Sequence, residues 1–178
     1  ELANRQVLRS LESDLSDTVP ANRPISLRDL LTLTLGYGAI FAMPGTYPIQ
    51  QAMDDAGLSP GANLPAMTAD EMLQRYAGLP LVAQPGARWL YNNGSDILGI
   101  LLARASDMTL GELLQERIFG PLGMADTGFW VPEDKIARLT DCYTMAGGKR
   151  GRFDEGGKSA LRNGPKSLSG GGGRGPPP

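Results

Sequence analysis

"QPGARWLYNNGSDILGILLARAS", residues 84–106, joins a Pro-Gly loop to a long apolar run, with an aromatic strip between them. Ile97 to Ala105 reads as an apolar helix buried on most of its sides. The strip before it sets Tyr91 two residues from Asn93, a spacing that puts both side chains on one side of extended backbone. Two readings of each residue stand. Tyr91 is either a packing residue with a polar tip or a phenol placed for chemistry. Asn93 is either a partner in that chemistry or the cap of a helix beginning near Ser95. Trp89 and Trp130 read as packing anchors, and Arg88 as a solvated or loop-pairing cation.

Helix-start signals recur on either side of this tract. Ser26 with Asp29 three residues on opens an apolar face of Leu27, Leu30, Leu31 and Leu35 that closes at Gly36. Thr68 with Glu71 opens a second helix ending at Gly78, and Thr109 with Glu112 a third ending at Gly120. Pro132 in "VPEDKIARL" sits in the first turn of a short helix. The Val7, Leu8, Leu11 and Leu15 spacing predicts a helix near the N-terminus. "AMPGTYP" and "LSPGANLP" read as connecting loops.

Composition narrows the chemistry. The 178 residues contain no histidine and one cysteine, Cys142. That removes a Ser-His-Asp triad, a Cys-His dyad, an internal disulfide and any histidine or cysteine-cluster metal site, so no cofactor and no metal are expected. No apolar run approaches the ~20 residues of a membrane span. Residues 1–148 hold 10 basic and 17 acidic side chains, whereas residues 149–178 hold 7 basic and 2 acidic. The basic stretch is glycine-rich and lacks interleaved aromatics, so it reads as a solvated tail and not as a nucleic-acid surface. Gly170–Gly173 precede no Gly-Lys-Ser/Thr and read as linker. The expected organisation is an N-terminal flank (1–25), a helical region (26–146) and an irregular Gly/Pro-rich tail (147–178). The opening "ELANRQVLRS" and the closing "RGPPP" have the look of fragment boundaries.

Three segments in order, "RPISLRDLLTLTLGYG", "LPLVAQPGARWLYNNGSDILGILLARAS" and "LGELLQERIFGPLGMADTGFWVP", resemble the beta-lactamase-related serine hydrolases. That family includes class C beta-lactamases, penicillin-binding DD-peptidases and related esterases, and the likeness covers roughly residues 20–145. The resemblance implies a mainly α chain: the helical portion of an α+β beta-lactamase/DD-peptidase-like fold, with the sheet-forming flanks largely missing. It implies acyl transfer on a small-molecule amide, ester or beta-lactam carbonyl. Family members carry Ser-x-x-Lys on a helix, Tyr-x-Asn on a loop and Lys/His-Thr-Gly on a strand. Tyr91 and Asn93 match the second, which gives them catalytic roles in one cleft, the asparagine amide facing substrate or lysine. A tyrosine shares such work when neighbouring cations lower its pKa from the ordinary ~10.

The other two elements are absent from the sequence. Ser159-Ala-Leu-Arg162 comes nearest to Ser-x-x-Lys, and an arginine does not act as a neutral base near neutral pH. Lys158-Ser159-Ala160 lacks the glycine of the strand motif, and Leu33-Thr34-Leu35-Gly36 stands where relatives often read His-Thr-Ser-Gly. The expectation is therefore a fragment or degenerate homologue, inactive as it stands, with apolar surfaces that favour self-association. A non-catalytic helical scaffold or interaction module is the alternative.

Overall fold

The computed structural model describes residues 2–59 and 67–155. Two antiparallel strands, β1 (Gln6–Leu8) and β2 (Thr18–Pro20), come first, paired Val7 to Val19. This corrects the N-terminal helix expected from the spacing of Val7, Leu8, Leu11 and Leu15. The serines and aspartates between the strands satisfy the backbone locally. Ser16 N donates to Asp14 Oδ1 at 2.9 Å and Ser13 Oγ to Asp17 at 3.0 Å, which turns the chain back before a helix can propagate. On its other edge β1 exchanges hydrogen bonds with Leu81: Leu8 N to Leu81 O at 2.9 Å and Leu81 N to Gln6 O at 2.8 Å.

Successive residues of a strand face opposite sides, and both sides of β1 are buried. Val7 joins a cluster with Leu30, Leu35, Tyr76, Leu81 and Ile97, whereas Leu8 joins Ile49 and Met53. One short strand thus divides two apolar cores.

The capping boxes form as read. Ser26 begins α1 (Leu27–Leu31), Thr68 begins α3 (Ala69–Gly78) and Thr109 begins α5 (Leu110–Leu114), with Asp29, Glu71 and Glu112 closing the boxes. α1 stops well short of Gly36, because Leu33 takes φ 56° and its carbonyl turns to accept from Leu90 N. A further helix, α2 (Pro48–Asp55), lies between the two loops read from the sequence and takes in only Pro48 of the first; Pro48 is in its first turn, and Ile49 and Met53, one turn apart, are buried. α4 (Asn93–Ser106) begins two residues before Ser95 and packs on α1 and α5. Its burial is one-sided: Ile97 and Ile100 lie inside, but Leu101 and Leu102 are exposed, unlike the expected envelopment. α5 runs on into a π turn at Gln115–Phe119, and a 3₁₀ turn follows at Glu133–Arg138.

β3 (Cys142–Ala146) and β4 (Lys149–Asp154) form an antiparallel hairpin. Gly147 and Gly148 both have positive φ, 56° and 73°, as a two-residue turn matched to strand twist requires. This corrects the irregular tail expected from residue 147; residues 156–178 of that segment lie outside the described residues. The structure is therefore helical with two small hairpins rather than simply mainly α. Among the described residues no helix is long and apolar enough to cross a membrane.

Asp29 is the buried end of the α1 capping box, 2 % exposed. It accepts from both Arg23 guanidinium nitrogens at 2.6 and 2.8 Å and from Ser26 N and Oγ at 2.7 Å each. Arg23 chiefly, then Ser26, holds its carboxyl far below the ordinary carboxylate range despite burial. A lowered folded-state pKa contributes stability that is complete above the unfolded value of ~4 and lost as the pH falls below it. Asp29→Asn should therefore destabilise the chain by about 1–3 kcal/mol near neutral pH. Urea midpoints of parent and variant should begin to converge below about pH 5 and go on converging below about pH 3; a difference constant with pH would refute the ionic origin.

Candidate active site

The backbone of residues 88–91 is fixed from both sides. Leu90 N donates to Leu33 O at 2.8 Å, and Ala39 N donates to Tyr91 O at 2.8 Å. Between these contacts the chain passes so close that a Cβ on Gly38 would lie 2.5 Å from the Leu90 carbonyl carbon. The strip alternates as extended backbone does: Trp89 is exposed, Leu90 is 4 % exposed, and Tyr91 is 52 % exposed. Trp89 and Tyr91 consequently share a face, with ring centroids 5.9 Å apart at 31°. Trp89 belongs to the surface and not, as expected, to the packing; Trp130 is also half-exposed.

Alternation ends at Asn92, whose φ is 89°. That residue turns the chain into α4 and sends the next side chain inward. Asn93 is fully buried, and its Nδ2 donates to Leu58 O at 3.0 Å and to the Tyr76 hydroxyl at 2.5 Å. The expectation that Asn93 lies on the Tyr91 side is thus corrected, because the i, i+2 rule requires an extended residue between them. The helix starts at Asn93 itself, with Asn92 as its cap, rather than near Ser95 behind the pair, and Gly94 lets it approach Leu33 and Leu35 closely. The Asn-Asn-Gly sequence carried a signal for this turn, since asparagine tolerates positive φ better than most residues.

Tyr76 and Tyr37 form a second, buried tyrosine pair with ring centroids 5.3 Å apart. Burial pushes the Tyr37 phenol up to about 12, opposed by Arg5 nearby, and burial likewise raises Tyr76. Both are neutral at physiological pH, and neither is a proton acceptor. Of the tyrosines in the 84–106 tract and its immediate support, Tyr91 alone presents its ring to solvent.

A hollow of about 700 Å³ lies elsewhere, between α5 with its π turn and the 125–139 loop, walled by Met108, Phe119, Phe129 and Trp130. At its rim Asp126 pairs with Lys135 at 2.9 Å and with Arg138, which leaves the polar groups answered by one another. Neither Tyr91 nor Asn93 lines it. Among the described residues no group of acidic, cysteine or histidine side chains is placed to hold a metal ion.

The chain belongs to the beta-lactamase family: the family model described as Beta-lactamase matches residues 4–175. It is 37 % identical over 145 residues to the lovastatin esterase of Penicillium rubens, covering 79 % of this chain and 34 % of that protein. Among solved structures, EstCE1, titled a hydrolase with promiscuous acyltransferase activity, superposes with TM-score 0.69 at 23 % identity, over 90 % of this chain and 44 % of its own. Unliganded simvastatin synthase (LovD) from Aspergillus terreus matches with TM-score 0.63 at 28 % identity, over 96 % and 40 %. The fold is beta-lactamase-like, and the chain spans about a third of the length of the curated esterase it matches.

Removing the Asn93 side chain would strand two buried polar groups, the Leu58 carbonyl and the Tyr76 hydroxyl. Asn93→Ala should cost about 2–4 kcal/mol in urea unfolding, and far more than the exposed Asn22→Ala. Equal midpoints for the two variants would contradict this account of the turn.

Proposed function

We propose that this chain is part of an acyl-transfer enzyme of the serine type acting on an ester, with Tyr91 presenting its phenol to the reacting centre. The observation that carries this reading is a half-exposed phenol on a backbone pinned at both Leu90 and Tyr91. A positioned group of that kind relays the proton that a serine hydroxyl loses on attacking a carbonyl and that the departing alcohol regains. The esterase and synthase relatives support an ester over an amide or a beta-lactam as the acyl donor. Asn93 takes a different part from the one its motif suggests. Its amide is committed to Leu58 and Tyr76, so it holds the turn on which Tyr91 stands.

The chain holds no Ser-x-x-Lys, so its own serines lack a paired base and the 178 residues alone are inactive in this reading. The same absence favours the second reading, a helical module without turnover. Exposed Leu27, Leu31, Phe41 and Met43 support self-association of the isolated chain in either case.

Incubation of the chain with benzylpenicillin or 4-nitrophenyl acetate should leave its mass unchanged, and a stoichiometric adduct on one serine would overturn the assignment. In the complete polypeptide that carries this chain, Tyr91→Phe should lower kcat for 4-nitrophenyl acetate by about 10²–10⁴-fold, the scale of general acid–base catalysis, with KM little changed. Hydrolysis equal to the parent's would remove Tyr91 from the chemistry, and none in the parent would leave the module reading standing.

A further inference from the structure

Trp89 stands outside both core clusters, with 56 % of its surface exposed. It is not needed to hold the strip. The backbone at residues 90 and 91 is secured by Leu33 and Ala39, and the intervening Leu90 is buried. What the indole does touch is the ring of Tyr91, at 5.9 Å on the same outward face. Positions 89 and 91 therefore present two adjacent rings outward, with the exposed Arg88 next in the chain.

We infer that Trp89 is a specificity-determining residue: its indole is the wall beside Tyr91 that receives the apolar part of the ester. The inference rests on the reading of Tyr91 given above. Two tilted rings side by side offer an apolar surface to an aromatic or aliphatic group. The wall favours donors with an apolar group next to the scissile carbonyl over a D-alanyl-D-alanine terminus. The phenol supplies the chemistry and the indole the selection.

The full 178-residue chain provides the test, because binding needs no turnover. The chain has two tryptophans, so Trp130→Phe leaves Trp89 as the sole indole. Titration with N-(4-nitrophenyl)hexanamide, whose nitroanilide absorbs tryptophan emission, should give saturable quenching, and D-alanyl-D-alanine should neither quench nor compete. By equilibrium dialysis Trp89→Ala should weaken the nitroanilide about ten-fold, whereas Trp89→Phe should stay within about three-fold and both variants should melt close to the parent. Tyr91→Phe keeps the ring and loses only the hydroxyl, so it should bind as the parent does. Unsaturable quenching, equal competition by the dipeptide, or unchanged affinity in Trp89→Ala would overturn the inference. Normal ester hydrolysis by Tyr91→Phe in the complete polypeptide, with quenching intact in the chain, would instead remove the catalytic role of Tyr91 and leave the apolar wall in place.

Discussion

The guanidinium of Arg5, 8 % exposed, gathers carbonyls at and just beyond the C-terminal end of α3. It donates to Ala77 O at 2.6 Å and Tyr76 O at 3.0 Å, and also to Leu79 O. A helix end carries several such orphan carbonyls and a partial negative charge, so a cation there answers two needs together. The same guanidinium donates to the Tyr37 hydroxyl at 3.0 Å, and that hydroxyl donates to Tyr76 O at 2.6 Å. A buried charge is costly unless its donors are used; here Nη1 and Nη2 are used while Nε is buried without a partner, and one side chain ties the chain before β1, the 33–39 segment and α3 into a single unit. The 33–39 segment in turn carries the strip bearing Tyr91, through Leu33 and Ala39. The candidate site therefore inherits its geometry from a residue near the start of the chain.

A division of labour follows within the Tyr-x-Asn triplet. One member faces solvent and the other is bonded into the core between α3 and the Leu58 region. Burying an amide is unfavourable unless its hydrogen bonds are replaced; Leu58 O and the Tyr76 hydroxyl replace those of Nδ2, whereas Oδ1 is buried without a partner. The exposed phenol can then stand on a turn that does not move with it. Arg23 and Asp29 do a comparable thing one layer away. They fix the start of α1, and the Leu33 carbonyl follows directly after its C-cap, Thr32.

How much of this was legible in the sequence depends on the range of the interaction. The starts at Ser26, Thr68 and Thr109 were readable because a capping box is made by residues three apart. The apolar run after Tyr91 was readable by its period, but its outer face was not, because Leu101 and Leu102 resemble core residues in every local respect. The N-terminal spacing of Val7, Leu8, Leu11 and Leu15 fits a helix as well as a hairpin, and pairing with residue 81 decided it. α2 begins at a tyrosine rather than at a preferred capping residue, with Gln50 Oε1 accepting from Tyr47 N at 3.0 Å, and so it escaped the usual signature. Residue types alone located Tyr91 and Asn93. Their relative orientation turned on a single dihedral at Asn92, which two-residue spacing does not encode.

The position of β1 between two cores also bears on how the chain folds during synthesis. Its partner on one edge, β2, follows within a dozen residues, but its partner on the other edge is Leu81, more than seventy residues further on. Closing so long a loop is entropically expensive and postpones the contact, which slows topologies that depend on it. A nascent chain displays the β1–β2 hairpin with one edge open until residue 81 has left the ribosome. Only then is the second edge of β1 paired, and the Val7 core closes later still, once Ile97 and Ile100 of α4 have followed.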